Sequence, residues 1–275
     1  CKEKEEKTAS YRLRPLELSE FCRDLGTMLG SAVTAQHPEG LPYDFIRVNC
    51  SGSGGMSFGA FLPKGIMLTI AGEANDYFGK GLSGGTVAVA PSSRANFRPE
   101  ENVIVGNVAF YGATSGTGFV NGLAGQRFAA RNSGASLVVE GIGDNGCEYM
   151  TGGLVLVLGE VGINFAAGMN GGVAYVYDAA HTLESHCNRD LVDILEPDRS
   201  ELAAIRELIE AHVRVTMSPL GVMMLYRFDD IAHHFKKVIP DEYRKMLAMT
   251  TQFEEEGCAH EEAQERAFEL LRAGA

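Results

Sequence analysis

The stretch Gly79-Lys-Gly-Leu-Ser-Gly84 fits the G-x-G-x-x-G pattern with which backbone amides and a helix N-terminus hold a dinucleotide pyrophosphate. That chemistry needs a strand before the glycines and a helix after them. Here Asp76 and Tyr77 come before and an apolar run, Thr86 to Ala90, comes after, so in a chain with 33 glycines the stretch reads as a chance match. His181, His186 and Cys187 come closest to a metal-ligand cluster, but no second cysteine joins them at the spacing of a zinc or iron–sulfur site. They read as solvated loop residues, and His233-His234 as helix surface and packing. Glu140, Asp144 and Glu148 offer paired carboxylates. A sugar-cleaving groove would repeat its acids or calcium ligands along one face, so these three read as corner residues. Cys1 could be an N-terminal nucleophile with its own amine as base, yet it opens a solvated charge run with no strand pattern behind it. Asn49-Cys-Ser51 is a glycosylation sequon in form only, without meaning in a cytoplasmic chain. No catalytic, cofactor-binding or metal-binding residue is assigned.

Composition narrows the classes further. The 275 residues include 24 basic and 36 acidic side chains, a net charge of −12, which gives no electrostatic drive toward nucleic acid or an anionic membrane. No apolar run approaches the roughly 18 residues of a membrane span, and the N-terminus is charged rather than signal-like, so the expected location is the cytoplasm. The six cysteines lack paired spacing and read as free thiols of a reducing compartment.

The elements that would position any chemistry come from a repeat. Over residues 104–178 the sequence recurs at a step of 19 for four rounds. Asn107, Gln126, Asn145 and Asn164 form a column of amides. Ile104, Leu123, Ile142 and Val161 form an apolar column, and Phe119, Val138, Val157 and Val176 another. Thr114, Ser133, Gly152 and Gly171, with Ser115, Gly134, Gly153 and Gly172 beside them, form two columns of small residues. Nineteen residues hold one strand but not a strand plus a packed crossover helix. The expectation is a mainly β fold, a right-handed parallel β-helix in which equivalent residues stack at roughly 4.8 Å. Apolar columns would fill its inside, stacked amides would satisfy its polar turns, and glycines would make its corners. Of the 33 glycines, 27 lie between positions 51 and 177, which confines this architecture to that stretch.

The rest of the chain is read around that core. Residues 1–10 are expected to be a disordered N-terminus, and 11–44 an N-terminal helical cap, with a helical pattern from Leu16 to Val33. The β-helix domain would span 45–190, with strands at Phe45–Val48, Ile66–Ile70 and Thr86–Ala90 and an outward polar loop of about a dozen extra residues between Pro91 and Val103. A C-terminal helical segment, 191–275, would follow. Within it Asp198 and Glu201 suggest a capping box, and helices are expected near 200–215, over Val222–Lys237, after Pro240 and from Glu261 to Arg272, covering the open end of the coils.

Several segments in order carry a resemblance: Gly55-Met-Ser-Phe-Gly59, Ala74-Asn-Asp-Tyr-Phe-Gly-Lys-Gly81, Tyr111-Gly-Ala-Thr-Ser-Gly116, Gly146-Cys-Glu-Tyr-Met-Thr-Gly-Gly153 and Asn164-Phe-Ala-Ala-Gly-Met-Asn-Gly-Gly172. Together they resemble the C-terminal GXGXG-repeat domain of the glutamate synthase large (alpha) subunit, over about residues 45–190 and more loosely beyond. The resemblance implies a β-helix that takes no chemical step. In that family a glutaminase domain releases ammonia and a flavin domain with FMN and an iron–sulfur cluster makes glutamate from 2-oxoglutarate. It therefore implies amidotransferase and FMN domains as partners, no cofactor on this chain, and room for a homo-oligomer. The β-helix subunit of formylmethanofuran dehydrogenase is a more distant likeness. A small-ligand binder using the Gly79 loop and an enzyme acting in a surface groove are the competing readings.

Overall fold

The computed structural model describes residues 11–12, 16–18 and 23–274. The tail at 1–10, with Cys1, lies outside the described residues, as do Phe21 and Cys22. Chain entry differs from the expected helix. β1 (Tyr11–Arg12) and β2 (Leu16–Leu18) are short strands, and α1 (Thr27–Gln36) starts only after them. Both strands pair in parallel with β3 (Ile46–Gly54), Leu16 opposite Cys50 and Leu18 opposite Gly52. Strand pairing wins over the weak helical pattern because it satisfies the free edge of the first coil.

From β3 the chain coils. β4 (Ile66–Ala74), β5 (Ser83–Ala90), β7 (Ser115–Ala124), β8 (Ser133–Ile142), β9 (Thr151–Val157) and β10 (Gly171–Tyr177) follow in one sheet, all parallel, while the short β6 (Val103–Val105) pairs with β4 and β7. This is the expected parallel β-helix. The loop after β5 bulges outward through a 3-10 turn at Pro99–Glu101 and lengthens one coil, so Val87 pairs with Gly118.

The step of 19 shortens by one residue in part of both the β7–β8 and the β8–β9 pairing, and these slips correct two of the columns. Phe119 pairs with Val138, but Val138 then pairs with Leu156, and Leu156 with Tyr175. The file Phe119, Val138, Leu156, Tyr175 therefore points outward, whereas Val120, Val139, Val157 and Val176 point into the coil. A bulge between Val120 and Leu123 makes Ala124, not Leu123, the partner of Ile142, and turns Leu123 out of the interior file. In the small-residue column the spacing is tight. A Cβ on Gly134, Gly152 or Gly171 would lie 2.2–2.3 Å from a carbonyl oxygen of the coil before.

The side of each coil opposite the strands is a turn in which every second residue has φ between +52° and +71°: Ser57, Gly59 and Phe61, then Tyr77, Gly79 and Gly81, and so on to Asn164, Ala166 and Gly168. The middle N–H of a triplet donates back one coil and the outer two donate forward. Ala129 donates to Ala109 O at 2.9 Å, while Arg127 and Arg131 donate to Asp144 O and Glu148 O at 2.8 Å. Inside these turns Phe58, Phe78, Phe110 and Phe128 follow one another with ring centroids 5.4–5.8 Å apart, the first pair stacked and the next two edge to face, and buried Cys147 and Phe165 occupy the turns that follow. Each such buried side chain contributes roughly 1.5–3 kcal/mol.

The amide column is an exposed corner ladder rather than a buried one. Asn107 Oδ1 accepts from Gln126 N at 2.9 Å, and two coils on Asp144 accepts from Ile163 N at 2.9 Å while Asn164 Nδ2 donates to Asn145 Oδ1 at 2.8 Å.

After α2 (Leu183–His186) and β11 (Val192–Leu195), the chain forms α3 (Arg199–Thr216), α4 (Pro219–Tyr226), α5 (Phe228–Ile231), β12 (Phe235–Pro240), α6 (Asp241–Glu255) and α7 (His260–Gly274). The capping box at Asp198 and Glu201 is present. The helix expected over Val222–Lys237 ends at Ile231, because Phe235–Pro240 pairs antiparallel with β10 and so closes the last free edge, with β11 outside it. Strands, not helices, cover that end. α3 to α5 lie along the flank instead, where Ile205, Ile209, Met224 and Phe228 pack on the outward file of Phe119, Val138, Leu156 and Tyr175. α6 and α7 pair with each other around Phe253, Ala263 and Ala267. Among the described residues no helix is long and apolar enough to cross a membrane.

Val157 is fully buried between Val139 and Val176. Val157→Asp is expected to cost several kcal/mol by burying an unpaired charge. Urea unfolding measures it, and a wild-type midpoint would mean that this file meets water.

Candidate functional site

The bulge that turns Leu123 outward, the long loop before β6 and the apolar helix α4 meet around one cleft of about 610 Å³. It is lined by Ile142, Gly143, Leu158 and Val161 of the coil, by Glu100 and Val103 of the loop and β6, and by Leu220, Met223 and Met224 of α4. The charged residues that line it are Glu100, Glu140, Glu160 and Asp178, all acidic. Its size and mainly apolar lining suit a small molecule or an inserted side chain.

Below the cleft lies a polar centre that sequence reasoning placed wrongly. Glu140 is no corner residue: it is 2% exposed in the middle of β8. Its Oε1 accepts from Ser218 Oγ and faces His212 Nε2 at 3.3 Å, and both partners are fully buried. Ser218 Oγ also caps α4 by accepting from Gly221 N at 2.8 Å. Asn121 Nδ2 adds a bond to Thr216 O at 3.1 Å. Serine, histidine and glutamate are the components of a hydrolytic triad, but here the carboxylate stands between the other two. His212 is not placed to take the Ser218 proton, so the arrangement ties α3 and α4 to the coil. The legible signal was the charge itself, a lone Glu inside Leu137-Val-Val-Glu-Gly-Ile142, with His212 one turn after Ile209 on the buried face of α3.

The other sequence candidates are scattered. Asp144 accepts from Ile163 N at 2.9 Å and Glu148 pairs with Arg127 at 2.7 Å, both half-buried in the turns, whereas Glu140 lies in β8 with Ser218 and His212. At Gly79–Gly84 the glycines form a coil turn leading into β5, not a helix N-terminus. A Cβ on Gly79 or Gly81 would come within 2.5 Å of the Phe110 or Phe61 ring, so close ring packing explains the glycines.

A family model described as the GXGXG motif matches residues 3–241. The chain belongs to the GXGXG-motif family. It is 48% identical over 92% of its length to a stretch of the glutamate synthase [NADPH] large chain of Bacillus subtilis, and 50% identical over 84% to one of the glutamate synthase [NADH] of Schizosaccharomyces pombe. A ferredoxin-dependent glutamate synthase of Synechocystis is 42% identical over 85%. The chain spans only 17%, 11% and 15% of those relatives' own lengths.

In this GXGXG chain the histidines are grouped differently from their sequence spacing. His186 Nδ1 lies 2.7 Å from Val161 O, apart from the others. His181 instead approaches His234 (ring centroids 6.1 Å), whose ring lies 3.9 Å from that of His233. Burial, then the His233 and His181 rings and Lys236, holds His234 below the usual imidazole range. Cys147 is buried within the turns, and its thiol is pushed up by burial; the half-buried Cys187 thiol is pushed up to about 11, also chiefly by burial. Among the described residues no group of three or more His, Cys, Asp or Glu is arranged to hold a metal ion.

Glu140→Ala leaves His212 and Ser218 buried without their acceptor and is expected to cost about 2–4 kcal/mol, read by urea unfolding. Equal stability would show that the centre does not tie the helices down. Gly81→Val is expected to cost about 1–3 kcal/mol through its left-handed backbone and the Phe61 ring. Addition of NAD should not shift the melting temperature of the wild-type chain, and a shift abolished by that variant would restore the dinucleotide reading.

Proposed function

We propose that this chain is the β-helix part of a glutamate synthase, a structural piece that holds the glutaminase and FMN-bearing domains in a fixed relation and takes no chemical step. One observation carries the reading: three relatives named for three different electron donors, NADPH, NADH and ferredoxin, match this chain at 42–50% identity. A region kept so alike across donors has a task independent of the donor. Stacked coils suit such a task, since turns cross-linked to the coils before and after resist bending. In this proposal FMN and the iron–sulfur cluster sit on other domains of the same enzyme, ammonia is released on the amidotransferase domain, and the assembly works in the cytoplasm.

The test uses two proteins. The isolated chain is expected to purify without flavin absorbance and without glutaminase activity. A Bacillus subtilis large chain whose 258 matching residues are replaced by this chain should, with its own reductant, form glutamate from glutamine and 2-oxoglutarate. Stoichiometric FMN in the isolated chain would overturn the structural role, and a folded but inactive chimera would overturn the placement in glutamate synthase.

A further inference from the structure

α4, Pro219-Leu-Gly-Val-Met-Met-Leu-Tyr226, contains no charged residue. A helix apolar all round belongs in an interior, covered on every side. Here only its Gly221 and Met224 side is buried, against the coil, while Val222, Met223 and Tyr226 are 53%, 45% and 91% exposed. Met223 also lines the cleft, together with Val103, which is 62% exposed, so the bare helix face continues into the cleft. Exposed apolar surface of this kind marks a place where another protein surface sits. The lining supplies the polarity of the occupant. Of the four acids, Glu100 is paired with Arg98, Glu140 is held by Ser218 and Asp178 accepts from Thr182 N, whereas Glu160 is exposed, and no Lys, Arg or His lines the cleft. One exposed carboxylate beside an apolar lining fits a segment that presents apolar side chains with a Lys or Arg among them.

We propose that α4 and the cleft beside it are the docking surface for the catalytic body of the synthase, entered by an apolar segment of that body whose Lys or Arg reaches Glu160. This rests on the function proposed above, and it assigns the contact to one flank of the coil, away from α1 and the first coil. The relatives leave ample chain to supply the segment, because the region matched here is 11–17% of their lengths. The exposed loop before β6, held by Arg98 between Glu100 and Glu101, forms the second jaw of the same surface.

Methionine oxidation by hydrogen peroxide, followed by peptide mass, tests this in the isolated chain and in the Bacillus subtilis chimera. Met223 should react readily in the isolated chain and at least tenfold more slowly in an active chimera. Met223→Glu should lower chimera activity at least tenfold while leaving the melting temperature of the isolated chain unchanged, and Met28→Glu, at an exposed position of α1, should leave both unchanged. Glu160→Lys should raise Met223 oxidation in the chimera at least threefold at low salt. An inactive chimera would overturn the proposed function and this inference with it. An active chimera in which Met223 reacts as fast as in the isolated chain would overturn the docking surface alone. Protection already present in the isolated chain would assign the face to a second copy of this chain, and an unchanged rate for Glu160→Lys would overturn the basic character of the segment.

Discussion

Everything in this fold hangs on hydrogen bonds between coils at the turns, where the chain is not a strand. In each turn three alternate residues hold φ near +60°, and their N–H groups reach one coil back and one coil forward by turns. Many of those residues are not glycine: Val108, Phe110, Arg127, Ala129, Cys147 and Ala166 sit there, each at a cost of order 1 kcal/mol or more. The cost is offset because the alternation leaves backbone groups paired on the side where a sheet has ended, and sends Phe58, Phe78, Phe110 and Phe128 into a shared interior. Strand pairing on one side and turn pairing on the other fix the height of every coil. That fixed height is what brings side chains of neighbouring coils into register.

Register in turn decides where the helices go. Because the period drops by one residue between β8 and β9, the aromatic and aliphatic residues Phe119, Val138, Leu156 and Tyr175 share the outward face. An outward apolar file must be covered, and Ile205, Ile209 and Met224 cover it. Apolar contact alone is tolerant of sliding along the coil. Glu140, reached by His212 from α3 and by Ser218 at the start of α4, sets the position along that face, and Tyr175 OH to Glu201 at 3.0 Å sets it at the other end of α3. The Lys237 ammonium on β12, 2.5 Å from Glu201, joins the closing strand to the same point.

The coil and its strands were legible because period and composition repeat together, and the box at Asp198 and Glu201 because its chemistry is local. The polarity of single columns was not. A step of 19 read through Val138 to Val157 joins an outward residue to an inward one, since the one-residue slip leaves apolar residues on both faces and so no mark in the pattern. The turns were hidden for a related reason: glycine fills only some of the left-handed positions, and Val108 or Arg127 gives no hint of one. The expected helix over Val222–Lys237 ran on into what is strand from Phe235, and only the free edge of β10, a nonlocal feature, makes Phe235–Pro240 a strand. The polar centre was half legible, as a charge within an apolar run whose partners lie 72 and 78 residues away.

A filled coil spends its interior side chains on stacking, so specificity has to come from places where the repeat is broken. Three such breaks meet here. The long loop lifts Glu100 and Val103 away from the coil, the bulge after Val120 turns Leu123 outward, and the chain leaving the last coil returns along the flank as α3 and α4. Each break removes a residue from the stacked pattern and presents it to the same cleft. A regular solenoid has the same surface at every coil and would dock a partner in many registers. These three departures line one cleft, so a partner that reads them has a single place to sit.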